Sequence, residues 1–155
     1  MRRHVDVETP PEADAQALEL HNVLKVLLPI RKQRLSRSER LQRQQQQQLQ
    51  VCHQQHHDGE QLLQGQSQRY QETVAAFVPQ HQGKIEPLNE LRDALQTEQQ
   101  QRDDVLRQRQ QIVVLENATQ AQQQRVDEAL QVVQRCQRDV EKIEYLLQNN
   151  EAAPQ

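Results

Sequence analysis

Phe77-Val78-Pro79-Gln80-His81-Gln82-Gly83-Lys84-Ile85-Glu86-Pro87-Leu88 lies near the middle of the 155-residue chain, and its reading decides the fold. A proline pushes the residue before it out of the helical region, and glycine and proline together punctuate a chain. The stretch predicts that one helix ends at Val78 and another begins near Pro87. Its flanks are poor in such breakers. Ile30 to Val78 has no proline, and Leu88 to Leu147 has neither glycine nor proline. Glutamine fills about one position in five and is a good helix former. Two long helices on either side of one central break are therefore expected.

A spacing of seven runs through both. In the first arm it reads Leu28, Leu35, Gln42, Leu49, His56, Leu63, Tyr70 and Phe77, with companions Arg31, Ser38, Gln45, Cys52, Gly59, Gln66 and Thr73. In the second it reads Leu91, Glu98, Val105, Ile112, Thr119, Val126, Val133, Val140 and Leu147. The companions there are Ala94, Gln101, Gln108, Leu115, Gln122, Ala129, Cys136 and Ile143. A sustained seven-residue period keeps one stripe of a helix facing a partner helix. Folding back about Gly83 sets Val140 to Leu147 beside Val23 to Leu28, the two richest apolar clusters. The expectation is an all-α antiparallel coiled-coil hairpin with arms of about 75–90 Å each. The competing arrangement is a continuous parallel homodimer, against which the central prolines and glycine argue.

The expected boundaries are a flexible tail over 1–17, a first arm over 18–78, a bend over 79–87, a second arm over 88–148 and a C-terminal tail over 149–155. Pro29 is expected in the first turn of the main helix or at a kink within it, since proline costs about 3 kcal/mol inside a helix. Gly59 and Gly65 each cost about 1 kcal/mol relative to alanine. Asp58-Gly59 has turn chemistry, and residues 44–68 are expected to be the weakest part of the hairpin.

Composition narrows function. Hydrophobic residues make up 34% of the chain, tryptophan is absent, and Phe77, Tyr70 and Tyr145 are its whole aromatic content apart from histidine. That suffices for a narrow seam but not for a layered core. The net charge of −3 and the lack of a recognised motif argue against nucleic acid. No apolar run is long enough to span a bilayer, and the start does not read as a secretory signal, so a soluble, cytoplasmic setting is expected. Three glycines cannot build a phosphate loop, and Ser36, Ser38 and Ser67 have no nucleophile-elbow context. A two-helix seam encloses no pocket, so no enzyme, catalytic residue or cofactor is expected.

Cys52, His53, His56, His57 and Asp58 carry donor atoms. The i,i+4 pairs Cys52/His56 and His53/His57 point in different directions, and the cluster reads as a solvated polar patch, not a metal site. Cys52 and Cys136 lie too far apart along the fold-back to form a disulfide. Arg31, Lys32, Arg34, Arg37, Arg40 and Arg43, preceded by Lys25, share their run with only one acid, Glu39. This is either a solvated face or a docking surface for an acidic protein. Tyr70, Val74, Phe77 and Val78, with Ile85 and Leu88, gather apolar residues at the bend, as packing or as interface anchors.

The segment from Val23 to Arg40, an apolar stretch followed by Arg31, Arg34, Arg37, Glu39 and Arg40, resembles the start of the YscO/HrpO-type proteins of bacterial type III secretion, related to the flagellar FliJ. Pro29, the glutamine content and the tail before Leu18 depart from that pattern. The resemblance implies a two-helix stalk, peripheral at the inner-membrane secretion apparatus. Such a stalk links the hexameric secretion ATPase to the export-gate ring and in some cases binds substrate chaperones. It would place Arg31, Lys32, Arg34, Arg37, Arg40 and Arg43 against the ATPase, and Tyr70, Val74, Phe77 and Val78 against the gate. A structural coiled coil or chaperone-like rod without a secretion role is the other expectation.

Overall fold

A computed structural model describes residues 11–83 and 87–151. They form two helices, α1 (Pro11–His81) and α2 (Leu88–Glu151), with no strand among the described residues. Contacts divide the chain into two compact units, Met1–Gln44 with Asp127–Gln155, and Gln45–Val126. Each unit pairs a piece of α1 with an antiparallel piece of α2.

In the first unit, Arg31 lies against Asp139, Lys32 against Glu144, and Asn150 Nδ2 donates to the Ala17 carbonyl at 3.3 Å. Leu24, Ala129, Val133, Val140 and Ile143 are buried between the helices. Residues 11–17, expected in a tail, are the first turns of α1. Pro11 opens the helix, where its missing N–H is not needed, and Asp14 suits the positive end of the helix dipole. The rest of that expected tail, residues 1–10, lies outside the described residues. At the other end α2 runs to Glu151, beyond the expected limit at 148, and residues 152–155 lie outside the described residues.

Pro29 neither starts α1 nor divides it; the helix is continuous through it. Pro29 lies on the exposed side, so the Lys25 carbonyl that loses its amide donor can turn to water. Leu24, buried on the opposite face, holds the helix in place across this point.

The second unit contains the bend. Here α1 does not stop at Val78 but continues through Pro79 to His81. Pro79 is exposed, and its missing bond falls on the solvent side. The terminator is Gly83, at φ +75°, with Gln82 N–H donating to the Val78 carbonyl at 2.8 Å. A left-handed residue just past a helix is a common stop, and glycine adopts it without steric cost. The Pro87 carbonyl opens α2 by accepting from the amides of Glu90 (3.0 Å) and Leu91 (3.4 Å). Ile85 lies outside the described residues.

The predicted seam is the observed one. Every position of the four series, from Leu28 to Phe77 and from Leu91 to Leu147, is buried or half-buried. No described side chain is completely enclosed, as expected when one stripe meets one stripe.

Much of the second unit's seam is polar and satisfied in pairs. Gln122 is 4% exposed, and its Nε2 donates to both the carbonyl (2.9 Å) and Oε1 (2.8 Å) of Gln45. Asp58-Gly59 makes no turn. Gly59 is buried in helix, its carbonyl accepting from Gln108 Nε2 at 3.1 Å. A Cβ there would stand 3.0 Å from Leu115 Cδ1, so the glycine admits Leu115. Gln66 Oε1 and Gln101 Oε1 are buried and accept no hydrogen bond among the described residues. The register that pairs Gly59 with Gln108 and Gln45 with Gln122 sets these two side chains opposite each other.

Candidate functional site

The basic run of α1 divides in two. Arg31 sits on the seam, half-buried, its Nη1 3.8 Å from Asp139 Oδ2. Lys32 Nζ lies 3.6 Å from Glu144 Oε1, with both side chains about half exposed. These two cations are partly neutralised by α2. Arg34, Arg37, Arg40 and Arg43 are exposed, and none has an ion-pair partner within 4.0 Å among the described residues. The basic run thus comprises four outward cations and two that lie beside acids of α2. Arg135 of α2 joins them. It lines a cleft of about 200 Å³ together with Arg31, Arg34 and Asp139. Sequence reading missed Arg135 because it lies about a hundred residues away along the chain.

The apolar cluster before these arginines is only partly used by the seam. Leu24 is buried and Leu27 and Leu28 are half-buried, while Leu20, Val23, Val26 and Ile30 are exposed, Val26 at 68%. Leu20, Val23, Leu27, Ile30, Arg34 and Arg37 follow in alternating steps of three and four, which puts them on one stripe flanking the seam. A shallow groove of about 380 Å³ runs along it, lined by Glu19, Asn22, Val23, Val26, Leu27 and Ile30. The stripe is apolar at one end and cationic at the other.

At the bend, Tyr70 and Phe77 are half-buried. The Tyr70 hydroxyl donates to Glu98 Oε1 at 3.0 Å, and the carboxylate holds the phenol above its usual pKa. Phe77 lies 4.7 Å from the His81 ring, tilted by 45°. Val74 and Val78 are exposed and, with Phe77, Leu95 and Glu98, line a shallow groove of about 240 Å³. Leu95 was not singled out from sequence; its position beside Val74 follows only from the register.

The cysteines are free thiols. Of the donor cluster, His53, His57 and Asp58 are exposed, and Asp58 accepts from Gln54 Nε2 at 2.9 Å. His56 is half-buried on the seam and faces two carboxylates, those of Glu60 and Glu116. Among the described residues no helix is long and apolar enough to cross a membrane. No family model, curated protein or solved structure matches the chain.

Proposed function

We propose that the chain is a non-enzymatic linking component of a bacterial type III secretion apparatus, of the YscO/HrpO kind. In this reading it joins the secretion ATPase to the export-gate ring from the cytoplasmic face of the inner membrane, with substrate chaperones as further candidate partners. The observation that carries the reading is the stripe from Leu20 to Arg37. A helix pair that has already closed its own seam still presents exposed aliphatic side chains and, directly after them, unpaired arginines. An apolar strip ending in cations suits a protein surface with an apolar ridge and an acidic end. The Val74–Val78–Leu95 groove supplies a second candidate surface for the gate.

The test is a pull-down of the secretion ATPase with Arg34→Glu, Arg37→Glu and Arg40→Glu combined. Arg31 and Lys32 stay intact because reversing them would set like charges against Asp139 and Glu144. Binding is expected to fall at least about tenfold, and wild-type binding to weaken with salt, while helicity is unchanged. Full binding by the triple variant overturns the docking assignment. Failure of the wild type to bind the ATPase overturns the secretion reading in favour of a stand-alone coiled-coil protein.

A further inference from the structure

His56 occupies a seam position where the period calls for an apolar residue. It faces an acid on each helix. Its Nε2 lies 3.4 Å from Glu60 Oε1, one turn along α1, and 3.4 Å from Glu116 Oε1, on α2. The three donor atoms all fall within 4.8 Å of one another.

We propose that His56, Glu60 and Glu116 form a binding site for a zinc-like divalent transition-metal ion that bridges the two helices. The inference is independent of the secretion reading. A tetrahedral ion with bonds of about 2.05 Å holds its ligand atoms about 3.3 Å apart. The two distances from Nε2 already match that edge. The remaining edge, between the carboxylates, closes by rotation of Glu60 and Glu116, whose side chains are 54% and 53% exposed. The charge arrangement asks for a cation as well. Two carboxylates brought this close repel. A divalent ion relieves them with the ring neutral and uses all three groups as ligands. The nitrogen donor sets the class, because magnesium and calcium prefer all-oxygen shells, whereas zinc takes mixed imidazole and carboxylate sets. Water completes the coordination on the exposed side.

The site falls in the stretch of seam where Gln45, Gly59, Gln66 and Thr119 replace larger apolar residues. A ligand bound only when both helices are in place stabilises their pairing by mass action. The ion would act as a clamp within this polar stretch of the seam. Residues 52–58 alone give donor pairs that diverge; the donor that makes the site three-sided comes from Glu116.

The test titrates the full chain with ZnCl₂ by calorimetry and follows thermal unfolding by circular dichroism. One saturable site of about 100 µM or tighter is expected. A rise in Tm of roughly 5–10 °C is expected near hundredfold excess over Kd. Magnesium and calcium chloride should give neither. Glu116→Gln, an exposed and nearly isosteric change, should weaken zinc binding at least about tenfold, and His56→Ala should do the same. Replacing His53 and His57 together by alanine should leave affinity unchanged. Absence of saturable zinc binding overturns the proposal. So does undiminished binding by Glu116→Gln, which would confine zinc to the histidines of α1.

Discussion

Gly59 and Gly65 offer a matched experiment, because they share one helix and differ in what faces them. An ideal Cβ at Gly65 meets nothing within 4 Å. Gly65→Ala should therefore yield the full helix-propensity gain of about 0.8–1 kcal/mol, raising Tm by roughly 2–4 °C in a chain of this size. A Cβ at Gly59 lies 3.0 Å from Leu115 Cδ1, 3.4 Å from Gln108 Nε2 and 3.8 Å from Ile112 Cγ1. Carbon atoms pack best at about 3.5–4.0 Å, so Leu115 must retreat by about half an ångström or leave its rotamer, at roughly 0.5–1.5 kcal/mol. Gln108, which donates to the Gly59 carbonyl, is crowded at the same time, and its bond contributes about 0.5–1.5 kcal/mol. These losses cancel or exceed the propensity gain. Gly59→Ala should come out neutral to about 2 kcal/mol destabilising. Urea unfolding followed by far-UV circular dichroism reads the difference as a shift in midpoint at constant slope. In a Leu115→Ala background, Gly59→Ala should be less destabilising by the roughly 0.5–1.5 kcal/mol that Leu115 contributes, while the Gln108 contact remains. Equal stabilisation at the two glycines would refute the close approach inferred at Gly59.

Replacing Gln66 and Gln101 together by leucine removes two buried, unpartnered carbonyl oxygens and adds apolar seam; we expect about 2–4 kcal/mol of stabilisation, read as a higher Tm, and an unchanged Tm would mean that the two amides already satisfy each other. Tyr70 holds its proton more tightly in the folded chain than in the unfolded one, because its hydroxyl donates to Glu98. Its contribution is therefore fully present below the unfolded value of about 10 and lost as pH rises through the folded one; alkaline unfolding should begin with a steeper loss in wild type than in Tyr70→Phe, and superimposable curves would count against the bond. If the chain has the proposed secretion role, Val74→Ser with Val78→Ser, both on the exposed side, should leave circular dichroism unchanged while lowering export-gate affinity about thirtyfold, the effect of losing roughly 2 kcal/mol of anchor contact; unaltered gate binding would show that the groove is not an interface.

The seam was legible in the sequence because a period of seven is a one-dimensional property, and polar seam positions such as Gln42 and Gln122 fall in place once Leu28 and Leu91 set the phase. The helix ends were less legible. In the sequence Pro79 marks a boundary and Pro29 a boundary or a kink, yet both fall on the exposed side, where an unpaired carbonyl finds water, and the terminator is the residue able to adopt positive φ. The division of the basic run was hidden as well: Arg31 and Lys32 differ from Arg34 and Arg37 only through Asp139 and Glu144 on the other helix. For the same reason Glu116 could not be associated with His56. Their separation of sixty residues becomes a 3.4 Å contact only when the fold-back is followed residue by residue.

Two helices rich in glutamine say little about where one should rest against the other. A slip of seven residues returns each seam position to the seam, and a bend fixes alignment only to within its own slack. Gly59 removes that freedom in its unit. Moved by one heptad, Leu115 would meet Cys52 or Gln66 and lose the hollow it occupies, while Gln122 would leave the Gln45 carbonyl. One residue acts as a notch and another as a hook, and a shifted alignment forfeits both at once. The chain thus records its register in two positions whose separate contributions to holding the helices together are small, so variants there should blur alignment before they lower helix content.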